Sequence, residues 1–433
     1  MSESMSNDII GFGYLFLWII TFVGYHLLRF KLDGGSAIMM TYILYAIFSI
    51  LSMNDFLFGD LYLPLKVFPY VYLYVMLIIA LSPAIYNHLN PTNTIEDPNS
   101  RMPMFVSIII IGSSVMLLPE IIANFSDGLV KLFTDVDAGK DAYTEQIEES
   151  ASEGGSGISN LTAIIYNSLM DLPAFLAFFF LTKKNKNIFL ISGLFFAVII
   201  GLLLPIMRGQ RGGVVVCTLT MFLAYMMFRC YLSVLVNRIV KSVGIIVIII
   251  ISLPIAAITI SRFGGDNIGP GVGGYINWYV GQGNIYFNNY AFDNGGIRYG
   301  DRTMNLFKRL VDSETPKNYD ERRWKYRHLN CDDNWFSTFV GDFVIDFGPV
   351  LAIVIFIVFN CYVLYNIRPR GDTIKLHQLL LLYFSMCICM QGGMTLFSFS
   401  DTSNLRIITF ALFYAYLRYH DVLLERFPLL SKN

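Results

Sequence analysis

Charge is scarce in this sequence. Of its 433 residues only 15% are Asp, Glu, Lys or Arg, against about 25% in soluble domains. The formal net charge of -1 offers no basic excess for a nucleic-acid partner. Cysteine is sparse as well. Cys217, Cys230, Cys361, Cys387 and Cys389 sit in or beside apolar runs and only Cys331 lies in a long polar segment. That spacing implies neither a disulfide framework nor a metal set, and no cofactor is expected. The first apolar run begins near Asp8, lacks a basic n-region and continues for about 20 residues, so it reads as an uncleaved span rather than a signal peptide.

Apolar residues are abundant: 55% of the chain, with a mean hydropathy of +0.56. The runs recur almost end to end. The sequence therefore predicts one integral membrane domain over 1–433, all-α, a polytopic transmembrane helix bundle. A helix needs about 20 apolar residues to cross roughly 30 Å of hydrocarbon. Eleven segments qualify: 8–28, 36–53, 67–87, 103–120, 159–182, 187–207, 212–228, 241–261, 335–365, 377–398 and 404–419. The second and last are short, and 335–365 is longer than one span needs.

Basic residues in short loops favour the cytoplasm. Alternate loops and the C-terminal tail hold fifteen of them, from Arg29 and Lys31 to Arg426 and Lys432, whereas the intervening short loops hold only Lys66, Arg208, Arg211 and Arg406. This predicts an outer N-terminus, a cytoplasmic C-terminus and an odd number of spans. Two long loops then face outward. The acidic loop 121–158 carries eight acidic residues against Lys131 and Lys140; the larger loop 262–334 carries ten basic and nine acidic residues.

Arg208 and Arg211, in Met207-Arg-Gly-Gln-Arg-Gly-Gly213, break the trend. They read either as a snorkelling turn or as a diphosphate grip, because the planar guanidinium fork donates two parallel hydrogen bonds. The larger loop opens with Arg262 and eight glycines between Gly264 and Gly283, followed by Tyr275, Trp278, Tyr279 and Tyr286. These are either an interfacial aromatic belt or a lid whose rings stack on sugar. Further on, Arg322, Arg323, Arg327 and His328 lie close to Asp332 and Asp333. They form either a solvated charge run or part of a site in which His328, the only outward histidine, is a general base. Asp342 and Asp346 are four apart and share one helix face. Carboxylates there, like the lonelier Asp171, pair with arginine or face a polar cavity. Asp135-Val-Asp137 is a weak metal signal, the kind any acidic loop produces by chance.

Three stretches carry a resemblance. They are the Arg-Gly pattern around Arg208 and Arg211, the segment Tyr279-Val-Gly-Gln-Gly-Asn-Ile-Tyr-Phe-Asn288, and Phe339-Val-Gly-Asp-Phe-Val-Ile-Asp-Phe-Gly348. In their order, and in the hydropathy layout, the chain resembles the Wzy-type O-antigen and oligosaccharide repeat-unit polymerases of bacterial inner membranes, whose members often have around twelve spans. The resemblance implies a glycosyltransferase that joins undecaprenyl-diphosphate-linked repeat units at the periplasmic face. Its expected partners are the lipid-linked oligosaccharide, membrane lipid, a chain-length regulator and a flippase. Arg208, Arg211, Arg262, Arg322 and Arg323 would bind diphosphate without a metal, Tyr275, Trp278, Tyr279 and Tyr286 the sugar, and His328, Asp342 or Asp346 would act as base. An O-antigen ligase is the nearest alternative, and a lipid-linked oligosaccharide flippase or other transporter the alternative of a different class.

Overall fold

The computed structural model describes residues 3–134, 158–207, 211–263, 271–317, 319–333, 335–393 and 401–426. Apart from two three-residue strands, regular structure among them is helical. Among the described residues seven helices are long and apolar enough to cross a membrane, or eight if the bent pair 161–182 is one span. This is the architecture of a helical multi-pass membrane protein. The described residues of the eleven expected segments fall chiefly on helices, with 159–182 divided between two. Two of the remaining three, Gly212–Phe228 and Leu376–Gln391, are shorter apolar helices; the third lies within Asp401–Arg426.

The chain divides into two compact units. The first holds α1 (Glu3–Leu27), α2 (Gly34–Met53), α3 (Val67–Leu89), most of α10 (Gly271–Tyr286), the short α11 (Asn305–Arg309) and α12 (Tyr319–Lys325), α13 (Thr338–Asn366) and most of α14 (Leu376–Gln391). The second holds α4 (Met102–Thr134), α5 (Ile158–Leu169), α6 (Leu172–Thr182), α7 (Ile188–Met207), α8 (Arg211–Phe228), α9 (Val234–Phe263) and most of α15 (Asp401–Arg426).

In the second unit small residues let helices meet closely. A side chain on Gly193 of α7 would meet Ile111 of α4 at 2.6 Å. The expected single span 159–182 is broken: α5 and α6 meet at 56°, with Asp171 buried at the break ahead of Pro173 at the α6 start. Helix α4 runs on to Thr134, into the segment 121–158 expected as the acidic loop. The rest of that loop, including Asp135 and Asp137, lies outside the described residues.

In the first unit α1, α2 and α3 close on Trp18, fully buried with edge contacts to Tyr42 (4.9 Å) and Tyr74 (5.1 Å). Asp33 caps α2 through a reciprocal capping box with Ser36, which satisfies donors that a helix start leaves open. The same carboxylate accepts from Tyr25 at 2.9 Å and lies 2.6 Å from His88 Nδ1.

Helix α13 is two arms. Gly348 has φ 76 and ψ 162 and Pro349 follows it, a backbone region essentially reserved for glycine ahead of a residue that cannot continue a helical hydrogen bond. In a straight helix Phe339 and Phe356 would be about 25 Å apart along the axis. Their rings instead stack at 5.5 Å, and Phe343 meets Phe356 edge-on at 5.4 Å. The arms 338–347 and 349–366 therefore close into a V. The second arm alone, about 27 Å long, matches the hydrocarbon thickness. This explains why the apolar run 335–365 is longer than a span requires.

Candidate functional site

The glycine-rich start of the 262–334 segment is not a loop throughout. Residues 271–286 form helix α10, followed by one π-helical turn at Phe287–Ala291. Glycine serves here for close approach. A side chain at Gly281 would meet the carbonyl of Phe48 on α2 at 2.4 Å, and Ser49 donates to Gly281 O at 2.8 Å. Helical spacing brings the four predicted aromatics together. Trp278 stacks on Phe58 at 5.2 Å and meets Trp335 edge-on at 5.5 Å. Tyr275 packs on Phe58, Tyr279 on Phe336, and Tyr286 stacks on Trp335. The set is ring packed on ring around residues 335–336.

Asn288 and Asn289, in the π turn, reach back to the α2–α3 connection. Asn288 accepts from Lys66 N at 2.9 Å and donates to Lys66 O at 2.7 Å; Asn289 does the same with Leu63 at 3.0 and 3.1 Å. Each amide thus fills both backbone valences of one residue.

The first arm of α13 anchors the next stretch. Arg298 N and Tyr299 N donate to the Ile345 and Asp346 carbonyls at 3.1 and 2.8 Å. The Asp346 carboxylate accepts from Arg302 N (3.2 Å), Thr303 N (2.6 Å) and Thr303 Oγ1 (2.7 Å). Asp346 therefore fixes the turn at 302–303, and that turn delivers arginine to a place with almost no water.

Three guanidinium groups converge on Asp333. Arg298 Nη1 donates to it at 2.6 Å and Arg322 Nε at 2.8 Å, and Arg302 Nη1 donates as well. Arg302 Nε is also 2.5 Å from Asp342 Oδ1, which accepts from Ser337 at 2.9 Å. No side chain in the set is more than 5% exposed. Counting Asp346, three arginines face three aspartates, as burial of charge requires. Burial raises the Asp333 pKa, but Arg302, Arg298 and Arg322 outweigh it and hold the carboxyl at about 2. Burial likewise opposes the charge on Arg302, yet Asp342 and Asp333 keep its proton bound more firmly than usual.

Around this centre Asp301 accepts from Lys308, from Lys325 at 2.8 Å and from Tyr326 at 2.5 Å. Arg298 also donates to Cys331 O at 2.6 Å and lies over the Tyr326 ring. Among the described residues Arg298 Nε and Asp342 Oδ2 are buried without a hydrogen-bond partner. The first is a donor and the second an acceptor.

Of the predicted site residues, Arg322, Asp342 and Asp346 come together here. Arg323 stands beside them, pairing with both oxygens of Asp332 (3.0 and 3.1 Å) at a half-exposed position. His328 is exposed, its ring 6.4 Å from that of Tyr326. Arg208 lies outside the described residues. Arg211 opens α8 and Arg262 lies in the last turn of α9, in helices of the second unit, and their side chains are likewise outside the described residues. Sequence reasoning missed Arg298, Arg302 and Asp301 and took Asp333 only as a neighbour. The available signal was the pair Arg298 and Arg302, four apart with Asp301 between them.

No group of three or more His, Cys, Asp or Glu among the described residues is arranged to hold a metal ion. The arrangement can bind and neutralise an anionic group with guanidinium, and take up a proton at a carboxylate, in surroundings where electrostatics are strong. The chain matches no family model, no curated protein and no solved structure.

Proposed function

We propose that the chain is a membrane glycosyltransferase of the polysaccharide-polymerase kind, joining undecaprenyl-diphosphate-linked oligosaccharide units at the periplasmic face of a bacterial inner membrane. One observation carries the reading: the buried Arg298, Arg302 and Arg322 centre on the V-shaped α13, with its open donor at Arg298 Nε and open acceptor at Asp342 Oδ2. In the proposed reaction the glycosidic bond to the lipid diphosphate breaks as an acceptor hydroxyl attacks the anomeric carbon. The hydroxyl proton passes to Asp342, and the leaving diphosphate takes both electrons of the broken bond. Arginines stabilise that growing charge, and Asp346 positions Arg302. This moves the diphosphate role from Arg208, Arg211 and Arg262 to the arginines of the centre.

The positive-inside pattern supports eleven spans, an outer N-terminus and a cytoplasmic C-terminus. That orientation agrees with the reading, because the segment 262–334 that carries the three arginines is then an outer one.

The test is a gel of surface glycan from a deletion strain. The polymerase reading expects glycan capped at a single repeat. Retained long chains, or loss of even the single repeat, refute it, and lipid-linked polymer that never reaches the lipid A core marks a ligase instead. Complementation with Arg302→Lys keeps the charge but loses the two-pronged fork, and should restore protein without restoring long chains.

A further inference from the structure

A second concavity in the first unit is independent of the arginine centre. It is a cleft of about 510 Å³, within the range of small-molecule sites. Phe68 and Phe292 form one wall, Lys66 and Asp293 flank it, and Ile297, Val344 and Gly348 form part of the lining.

Its construction is specific. Phe68 is 65% exposed. It meets Phe292 edge-on at 5.5 Å, and Phe292 is braced by Tyr72 at 5.1 Å and Phe287 at 6.1 Å. The cleft thus presents an aromatic face that is held in place and that no other part of the described protein covers. Lys66 is fixed at its backbone by Asn288. Among the described residues neither Lys66 Nζ nor the Asp293 carboxylate has a partner, so one donor and one acceptor stand beside the rings. At Gly348 a side chain would sit 3.5 Å from Ile297 and is disfavoured by φ 76, which leaves backbone open to close approach. Gly348 ends the arm carrying Asp342 and Asp346, and Ile297 precedes Arg298.

We infer that this cleft binds a saccharide ring, its C–H face on Phe68 and Phe292 and its hydroxyls on Asp293 and Lys66. A hydroxyl both donates and accepts, so a ring bearing several of them uses an unpaired cation and carboxylate together without net charge. A zwitterionic lipid headgroup would satisfy the same two charges but has no flat face for the exposed ring. Within the polymerase reading, on which this role rests, the bound ring belongs to the acceptor chain. It is distinct from the α10 aromatics, whose rings pack on Phe58, Trp335 and Phe336.

Saturation-transfer difference NMR tests this with the full chain in phosphatidylcholine nanodiscs. The probes are glucose, N-acetylglucosamine and phosphoethanolamine. At least one sugar should show saturated ring protons, reduced about fivefold or more in Phe68→Ala and in Asp293→Asn. Val311→Ala, at a position 87% exposed and away from the cleft lining, should keep the signal. Absence of signal from both sugars, unchanged signal in both cleft variants, or saturation of phosphoethanolamine alone would overturn the inference. A deletion strain that keeps long glycan, combined with sugar binding lost in Phe68→Ala, would sink the polymerase reading and leave the saccharide site standing.

Discussion

Asp333→Asn tests whether one carboxylate holds the arginine centre shut. Its side chain is fully buried among Arg298, Arg302 and Arg322. An asparagine keeps the shape but removes the charge, leaving three buried cations short of a partner. Breaking a buried pair from one side costs about 3–5 kcal/mol. The depression of the Asp333 pKa to about 2 gives an independent figure of about 2 kcal/mol at 1.36 kcal/mol per unit. Cys331 reports the opening, because it is 3% exposed and its carbonyl is held by Arg298. In a chain with the other five cysteines replaced, Cys331 should react with a maleimide about 30- to 150-fold faster in the variant, for 2–3 kcal/mol of easier opening. Burial pushes this thiol up to about 11, so rates are compared across pH. Opening multiplies the rate equally at every pH, whereas a shifted thiol pKa changes its profile. Arg323→Gln is the control: its pair with Asp332 is 38% and 43% exposed, worth about 0–1 kcal/mol and at most about fivefold in rate. Equal labelling of wild type and Asp333→Asn would refute the role given to Asp333.

Two further outcomes follow from the same geometry. The Asp333 pKa is depressed on folding, so its stabilising contribution is complete above about pH 4 and is lost as pH falls through about 2; fluorescence-detected melting in detergent should show this acid loss in wild type and not in Asp333→Asn. Gly348→Ala forces a side chain into a glycine backbone region at a cost of about 1–3 kcal/mol and should lower the melting temperature, whereas Gly13→Ala, where the added methyl group meets nothing within 4 Å, should not.

The membrane-helix character was legible because apolar run length is a local property: the described residues of the expected segments lie chiefly on helices, seven or eight of which are long and apolar enough to cross a membrane. The break in α13 was half legible. Asp346-Phe-Gly-Pro349 carries the signal and the run was too long for one span, but only the Phe339–Phe356 contact shows that the arms fold together. Helix α10 was obscured because eight glycines suggest flexibility. At Gly281 the missing side chain instead permits contact with the α2 backbone. At the site, the carboxylates of α13 and Arg322 were visible as charge in unusual places. Arg298 and Arg302 were not, because their partners Asp333, Asp342 and Asp346 lie 31 to 44 residues away and no period connects them.

The Asn288 and Asn289 clamps have a consequence for biosynthesis. They satisfy Lys66 and Leu63 from 222 and 226 residues downstream, with residues 93–272 made in between. At about 5–20 residues per second, the α2–α3 connection waits roughly 10–45 s before the amides that hold it leave the ribosome. Helices α2 and α3 therefore enter the bilayer with their connection unfastened. The Lys66 wall of the cleft is set only after the second unit's first helices have been inserted.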